Sequence, residues 1–163
     1  MKFRISILLF FLVFVSNAQN SISELLKRHN TKNIPYITVQ ELAMPKTQAI
    51  ILDAREKNEF NTSHLKNALF VGYNGFNIDS VLQIIPNKTT KIVVYCSLGI
   101  RSETIATKLK KNGYTSVYNL YGGIFEWKNN NFPVYDFENK ETNKIHVFSK
   151  EWSKWLKKGI KVF

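Results

Sequence analysis

The residues with the clearest chemistry form one run, Cys96-Ser97-Leu98-Gly99-Ile100-Arg101-Ser102. Before it stands the apolar stretch Ile92-Val93-Val94-Tyr95, which reads as a buried central strand. After it, residues 102–112 read as a helix with Ile105, Ala106 and Leu109 on the apolar face. A strand that delivers a cysteine to a short loop, with a helix starting at once, aims several backbone N–H groups into one cradle. Such a cradle favours an anion. It lowers a thiol pKa from about 8.5 and makes the nucleophilic thiolate available near neutrality. Gly99 allows the tight curvature. Arg101 adds a permanent charge that can grip an oxyanion by two hydrogen bonds. Cys96 is therefore expected as the nucleophile, with Ser97, Leu98, Gly99, Ile100, Arg101 and Ser102 as the anion-binding residues. The plainer alternative is a strand-end cysteine buried in an ordinary βα turn.

The flanking sequence supplies elements to hold such a loop. Residues 37–39 are β-like, and residues 40–44 suit a short helix ended by Pro45. Residues 49–52 form a compact apolar run, consistent with a buried strand, that ends at Asp53. Residues 56–63 are polar and turn-like, and residues 68–71 are again apolar. Ile78, Val81, Leu82 and Ile85 have helical spacing, closed by Pro86, and residues 117–120 are a further strand candidate. Gly122-Gly123 turns into a short segment at 124–128, and Pro133 ends the regular part. Strands alternating with helices imply an α/β fold: a central parallel sheet with helices on both faces. Ligands bind such sheets beyond the carboxyl ends of the strands, and Cys96 falls there.

Three blocks in order resemble the rhodanese-like domain over about residues 36–135. They are Leu52-Asp53-Ala54-Arg55 with Glu59-Phe60 and Ser63-His64-Leu65-Lys66-Asn67-Ala68; Val94-Tyr95-Cys96 through Ser102; and Leu120-Tyr121-Gly122-Gly123-Ile124 with Trp127 and Pro133-Val134. Ser63 stands where the family usually has glycine. The resemblance implies a single rhodanese-like domain acting as a thiosulfate sulfurtransferase-like enzyme. Cys96 would take a sulfane sulfur from a donor, thiosulfate or a persulfide, carry it as a persulfide and pass it to a thiophilic acceptor. No cofactor is implied. Asp53 and Arg55 are expected to form an ion-paired support for the loops, and His64 a hydrogen-bonding group at a turn. Trp127 is expected mainly in the core. Tyr73 and Phe76 are candidates for the pocket mouth. His29, His64, His146 and the single cysteine make no metal-ligand spacing.

The chain ends resolve into separate segments. Lys2 and Arg4, an apolar run over residues 5–15 and the small residues around Ala18 form a three-part secretory signal, cut after Ala18. The run is shorter than the ~20 residues a spanning helix needs. The expected division is thus 1–18 signal peptide, 19–35 N-terminal arm, 36–135 domain and 136–163 basic extension, in a periplasmic or secreted protein. Removing Lys2 and Arg4 leaves a formal charge of +11 − 2 = +9. That charge attracts small anions or an acidic membrane face, and an exported protein is not expected to meet nucleic acid. In the extension, Trp152, Trp155, Leu156 and Ile160 approximate one helical face among lysines. Such a helix would pack back on the domain, or make a weak contact with a membrane surface or a protein. Two other functions fit less well. A cysteine-based phosphatase or arsenate reductase resembles a Cys-x5-Arg loop, one residue longer than Cys96 to Arg101, and wants a carboxylic acid for the leaving group. A non-catalytic or redox-relay binding module would use Cys96 for docking or sensing.

Overall fold

The computed structural model describes residues 21–31 and 33–163. The expected signal peptide, residues 1–18, lies outside the described residues, as does the start of the arm. The arm continues as helix α1 (Ile22–His29), which Ser21 and Glu24 start with a reciprocal capping box. The sheet is built from β1 (Tyr36–Ile37), β2 (Ile50–Asp53), β3 (Leu69–Phe70), β4 (Ile92–Tyr95) and β5 (Val117–Leu120). All pairings are parallel, in the order β1-β5-β4-β2-β3. Helices α2 (Val39–Ala43), α3 (Lys57–Thr62), α4 (Ile78–Ile84), α5 (Arg101–Lys111) and α6 (Gly123–Asn129) connect and cover it.

A parallel sheet buried on both faces needs apolar residues at successive positions, and β4 is buried throughout. Its side chains alternate between two cores. Val93 and Tyr95 join Leu42, Leu65, Leu120, Phe125 and Trp127. Ile92 and Val94 join Val81, Ile105, Ala106 and Leu109 of α4 and α5. β4 lies between β2 and β5, so the chain following Tyr95 leaves from the middle of the sheet.

Three expectations are corrected. Residues 56–63 are not a turn: Glu56 and Glu59 make a capping box for helix α3. Its residues lack apolar periodicity because its buried side chain is the carboxylate of Glu59. Regular structure does not stop at Pro133, since β6 (Val134–Tyr135) pairs antiparallel with β7 (Glu141–Thr142). The extension is not an amphipathic helix. It forms β8 (Lys144–His146), a single 3-10 turn (Trp152–Trp155) and β9 (Ile160–Val162), with β8 and β9 parallel. Gly159 at φ +99° turns the chain into β9, so Trp155 and Ile160 fall in different elements. Ile145, Val147 and Leu156 enter the first core beside Leu98 and Phe125. This segment, residues 144–163, is a strap folded onto the domain.

Ile145 is fully buried, so Ile145→Ala is expected to destabilise the whole protein by about 2–5 kcal/mol. Urea denaturation followed by tryptophan fluorescence checks this. One cooperative transition at lower urea is the expected result; an unchanged midpoint would mean that the strap lies outside the cooperative unit.

Candidate active site

Cys96 begins the loop that leaves β4, and its side chain is fully buried. The loop is shaped by contacts to its carbonyls. Ile124 and Phe125, in the first turn of α6, donate their N–H groups to the carbonyls of Cys96 (2.9 Å) and Ser97 (3.2 Å). Gly123 is required there, because a Cβ would lie 2.2 Å from the Cys96 carbonyl oxygen. The Gly99 carbonyl accepts from Asn119 Nδ2 and from Asn30 Nδ2, each at 2.8 Å. With its carbonyl so held and φ at +107°, Gly99 aims its own N–H at Cys96 Sγ, 3.1 Å away.

Ser102 Oγ lies 3.5 Å from Sγ and 2.7 Å from Asn119 Oδ1, so its one proton can serve either acceptor. Burial opposes a thiolate. The charge of Arg101 and the hydrogen bonds from Ser102 and Gly99 outweigh it, and the Cys96 thiol is held below its ordinary range. The expected cradle is thus narrower than the whole run. Gly99 and Ser102 turn to the sulfur. Ser97 turns its hydroxyl to Glu59 Oε1 (3.1 Å). Leu98, expected among the anion-binding residues, is fully buried in the first core; Ile100 precedes α5 and is partly exposed.

Arg101 also departs from expectation. Its two-pronged end is taken by Glu59: Nη1 donates to Oε2 at 2.7 Å and Nη2 to Oε1 at 2.8 Å. Nη2 also donates to Ser97 Oγ at 3.0 Å. Both partners are buried, and Arg101 holds the Glu59 carboxyl below its usual range against the opposing effect of burial. The two-bond grip on an oxyanion is therefore not free. What remains is the positive charge and the buried Nε–H, which has no partner among the described residues. Asn119 and Asn30 carry no chemical signature in the sequence, and Glu59 stands there only within the family-like block, with no role attached. Glu59 is 42 positions from Arg101, and the sheet order joins them.

The supporting residues lie beside this centre. Arg55 donates from Nε and Nη2 to Asp53, and from Nη2 to the Ser63 carbonyl at 2.6 Å. Tyr95 donates its hydroxyl to Asp53 Oδ2 and accepts from the Leu65 N–H. Ser63 is in extended backbone (φ −171°), so no glycine is required at that position. His64 stacks on Phe60 at 4.2 Å, and its Nδ1 faces the Phe60 carbonyl at 3.2 Å. Trp127 packs in the first core and donates to the Pro133 carbonyl. Tyr73 and Phe76 pack on the second core, away from the first-core residues around Leu98. Among the described residues no cluster of His, Cys, Asp and Glu could hold a metal ion.

A family model described as rhodanese-like domain matches residues 38–130, more than half of the chain. The chain belongs to the rhodanese-like domain family. Its fold is similar to a rhodanese-related protein of Thermoplasma volcanium, with a TM-score of 0.53 and 23% identity over 61% of this chain and 96% of that one. It is also similar to thiosulfate sulfurtransferase of Pseudomonas aeruginosa, with a TM-score of 0.57 and 22% identity over 80% of this chain and 24% of that one. Curated relatives are named tRNA uridine(34) hydroxylase. That of Aster yellows witches'-broom phytoplasma (strain AYWB) is 35% identical over 99 residues, 56% of this chain and 32% of its own length. That of Escherichia coli (strain K12 / DH10B) is 34% identical over 82 residues, 48% of this chain and 23% of its own length. The chain spans about a third or less of these relatives.

Arg101→Gln removes the main charge favouring the thiolate, so the midpoint of Cys96 ionisation should rise, as read by absorbance near 240 nm. Glu59 is then left buried without its partner, and stability should fall by about 3–5 kcal/mol. The depressed Cys96 pKa also fixes a sign. Its contribution to stability is fully present above the unfolded thiol value of about 8.5 and is lost as pH falls through the folded value. The stability difference between wild type and Cys96→Ser should therefore grow in favour of wild type as pH rises through that window, measured by urea denaturation across pH.

Proposed function

We propose that the chain is an exported sulfurtransferase that moves a sulfane sulfur through a persulfide on Cys96. The observation that carries this reading is the placement of the Gly99 N–H and Ser102 around Cys96 Sγ, next to the charge of Arg101. The thiolate attacks the outer sulfur of thiosulfate. An S–S bond forms to Cys96, the bond to the sulfonate sulfur breaks, and sulfite leaves with the electron pair. Cyanide or another thiophile then attacks the outer sulfur of the persulfide, and the Cys96 thiolate is returned. A low-molecular-weight persulfide donor follows the same course, with a thiolate as leaving group. Neither step needs an external oxidant or a cofactor. The Gly99 N–H and Arg101 Nε–H are the donors available to the negative charge. Nucleic acid has no part in this reaction. The hydroxylase name belongs to relatives of which this chain spans a third or less.

Export rests on the charged, apolar and small-residue pattern of residues 2–18. N-terminal sequencing of the protein recovered from the medium or the periplasm should begin at Gln19. Turnover is tested by thiocyanate formation from thiosulfate and cyanide. Wild type should turn over and Cys96→Ser should fall to background. Reduced, titratable wild type that produces none with thiosulfate or with a low-molecular-weight persulfide would overturn the reading and leave a binding or redox-relay module. tRNA incubated with the protein should show no new oxidation at uridine 34.

A further inference from the structure

The sulfur that must exchange atoms with a donor is wholly shielded from solvent. Two segments outside the matched residues 38–130 close on its loop. On one side, Asn30 holds the Gly99 carbonyl, and Leu26 Cδ2 stands 3.4 Å from where a Cβ of Gly99 would be. On the other side, the strap lies across Arg101. The ring of Phe148 is 4.5 Å from the guanidinium carbon of Arg101 and 4.8 Å from the ring of Trp152. The strap is anchored on both sides of this contact. His146 pairs with Val162 and meets the side chain of Asn58 in α3. Val147 donates to the Val162 carbonyl, and Leu156 is buried in the core.

Phe148 is held differently from these anchors. It is half-exposed. Its φ is +63°, a left-handed conformation strained for a bulky side chain. Its N–H is held by His146 Nδ1 at 3.1 Å, which fixes that conformation. The strap thus spends a strained residue to lay a ring over the charged residue of the catalytic loop. A half-exposed ring held by one cation–π contact and one tilted aromatic contact can turn aside quickly without unfolding the strap.

We propose that Phe148 is a specificity-determining residue: its ring is the cover of the Cys96 site, admitting small sulfane-sulfur donors such as thiosulfate or a low-molecular-weight persulfide and excluding a persulfide carried on a protein. The proposal rests on Cys96 being the reacting atom. It requires that reactivity of the sulfur be limited by the fraction of time the ring is displaced, and more severely for a bulky reagent.

The test is alkylation of Cys96 in the full mature chain. Rates are taken on the high-pH plateau, where the thiol is ionised, so that a change in thiolate fraction does not enter. Iodoacetamide is the small probe and a polyethylene-glycol maleimide the bulky one. Wild type should react with the first and resist the second. Phe148→Ala and Phe148→Gly should each raise the bulky-probe rate about tenfold or more and the small-probe rate less. Phe148→Tyr should resemble wild type. The glycine variant removes the ring and relieves the strained φ, so it keeps the test valid if the alanine variant folds poorly. An unchanged ratio of bulky to small rates in both ring-less variants would overturn the proposal. Alkylation requires a thiol and no sulfur transfer, so this result is separate from that of the thiocyanate assay.

Discussion

The buried pair of Glu59 and Arg101 is the constraint on which the site depends. Taking two charges out of water costs several kcal/mol per ion, and the cost is offset only when the hydrogen bonding is nearly complete. Here Glu59 accepts from both Arg101 prongs, from Ser97 Oγ and from the Glu56 N–H. Each of these partners fixes a different part of the architecture. Arg101 starts α5, Ser97 belongs to the loop and Glu56 caps α3. The pair ties three elements together at the carboxyl end of β4 and holds the guanidinium of Arg101 where it favours the Cys96 thiolate. A lone arginine there would swing to solvent, and a lone glutamate would repel the thiolate.

The loop peptide is oriented by a second set of contacts. α6 takes the carbonyls of Cys96 and Ser97, while Asn119 and Asn30 take that of Gly99. With the carbonyls bound to these groups, the Gly99 amide is left to face Sγ. Asn30 and the strap both lie outside the matched family region. Two segments outside the matched region thus pack against the loop, one gripping its backbone and one covering its arginine.

The central strands were readable because a doubly covered parallel sheet demands continuous apolar runs, and residues 49–52 and 92–95 supply them, while β5 shows Val117, Tyr118 and Leu120 around the polar Asn119. The place of Cys96 at the end of β4 was readable because the apolar run 92–95 leads straight into it. α3 was missed because Glu59 is its buried residue, and a charged core position gives no apolar periodicity. The role of Arg101 was misread for the same reason: nothing local in the sequence shows that a carboxylate 42 positions earlier occupies its fork. The strap was misread as a helix because Trp152, Trp155, Leu156 and Ile160 satisfy helical spacing by accident. Gly159 divides them, and strand pairing with residues 144–146 claims the last.

Intact-mass spectrometry of the protein after exposure to a sulfane-sulfur donor tests whether Cys96 carries a transferable sulfur. The expected result is a chain heavier by one sulfur atom, returned to its original mass by cyanide and never seen in Cys96→Ser. A chain whose mass stays unchanged with thiosulfate and with a low-molecular-weight persulfide, although its thiol is reduced and titratable, would contradict it.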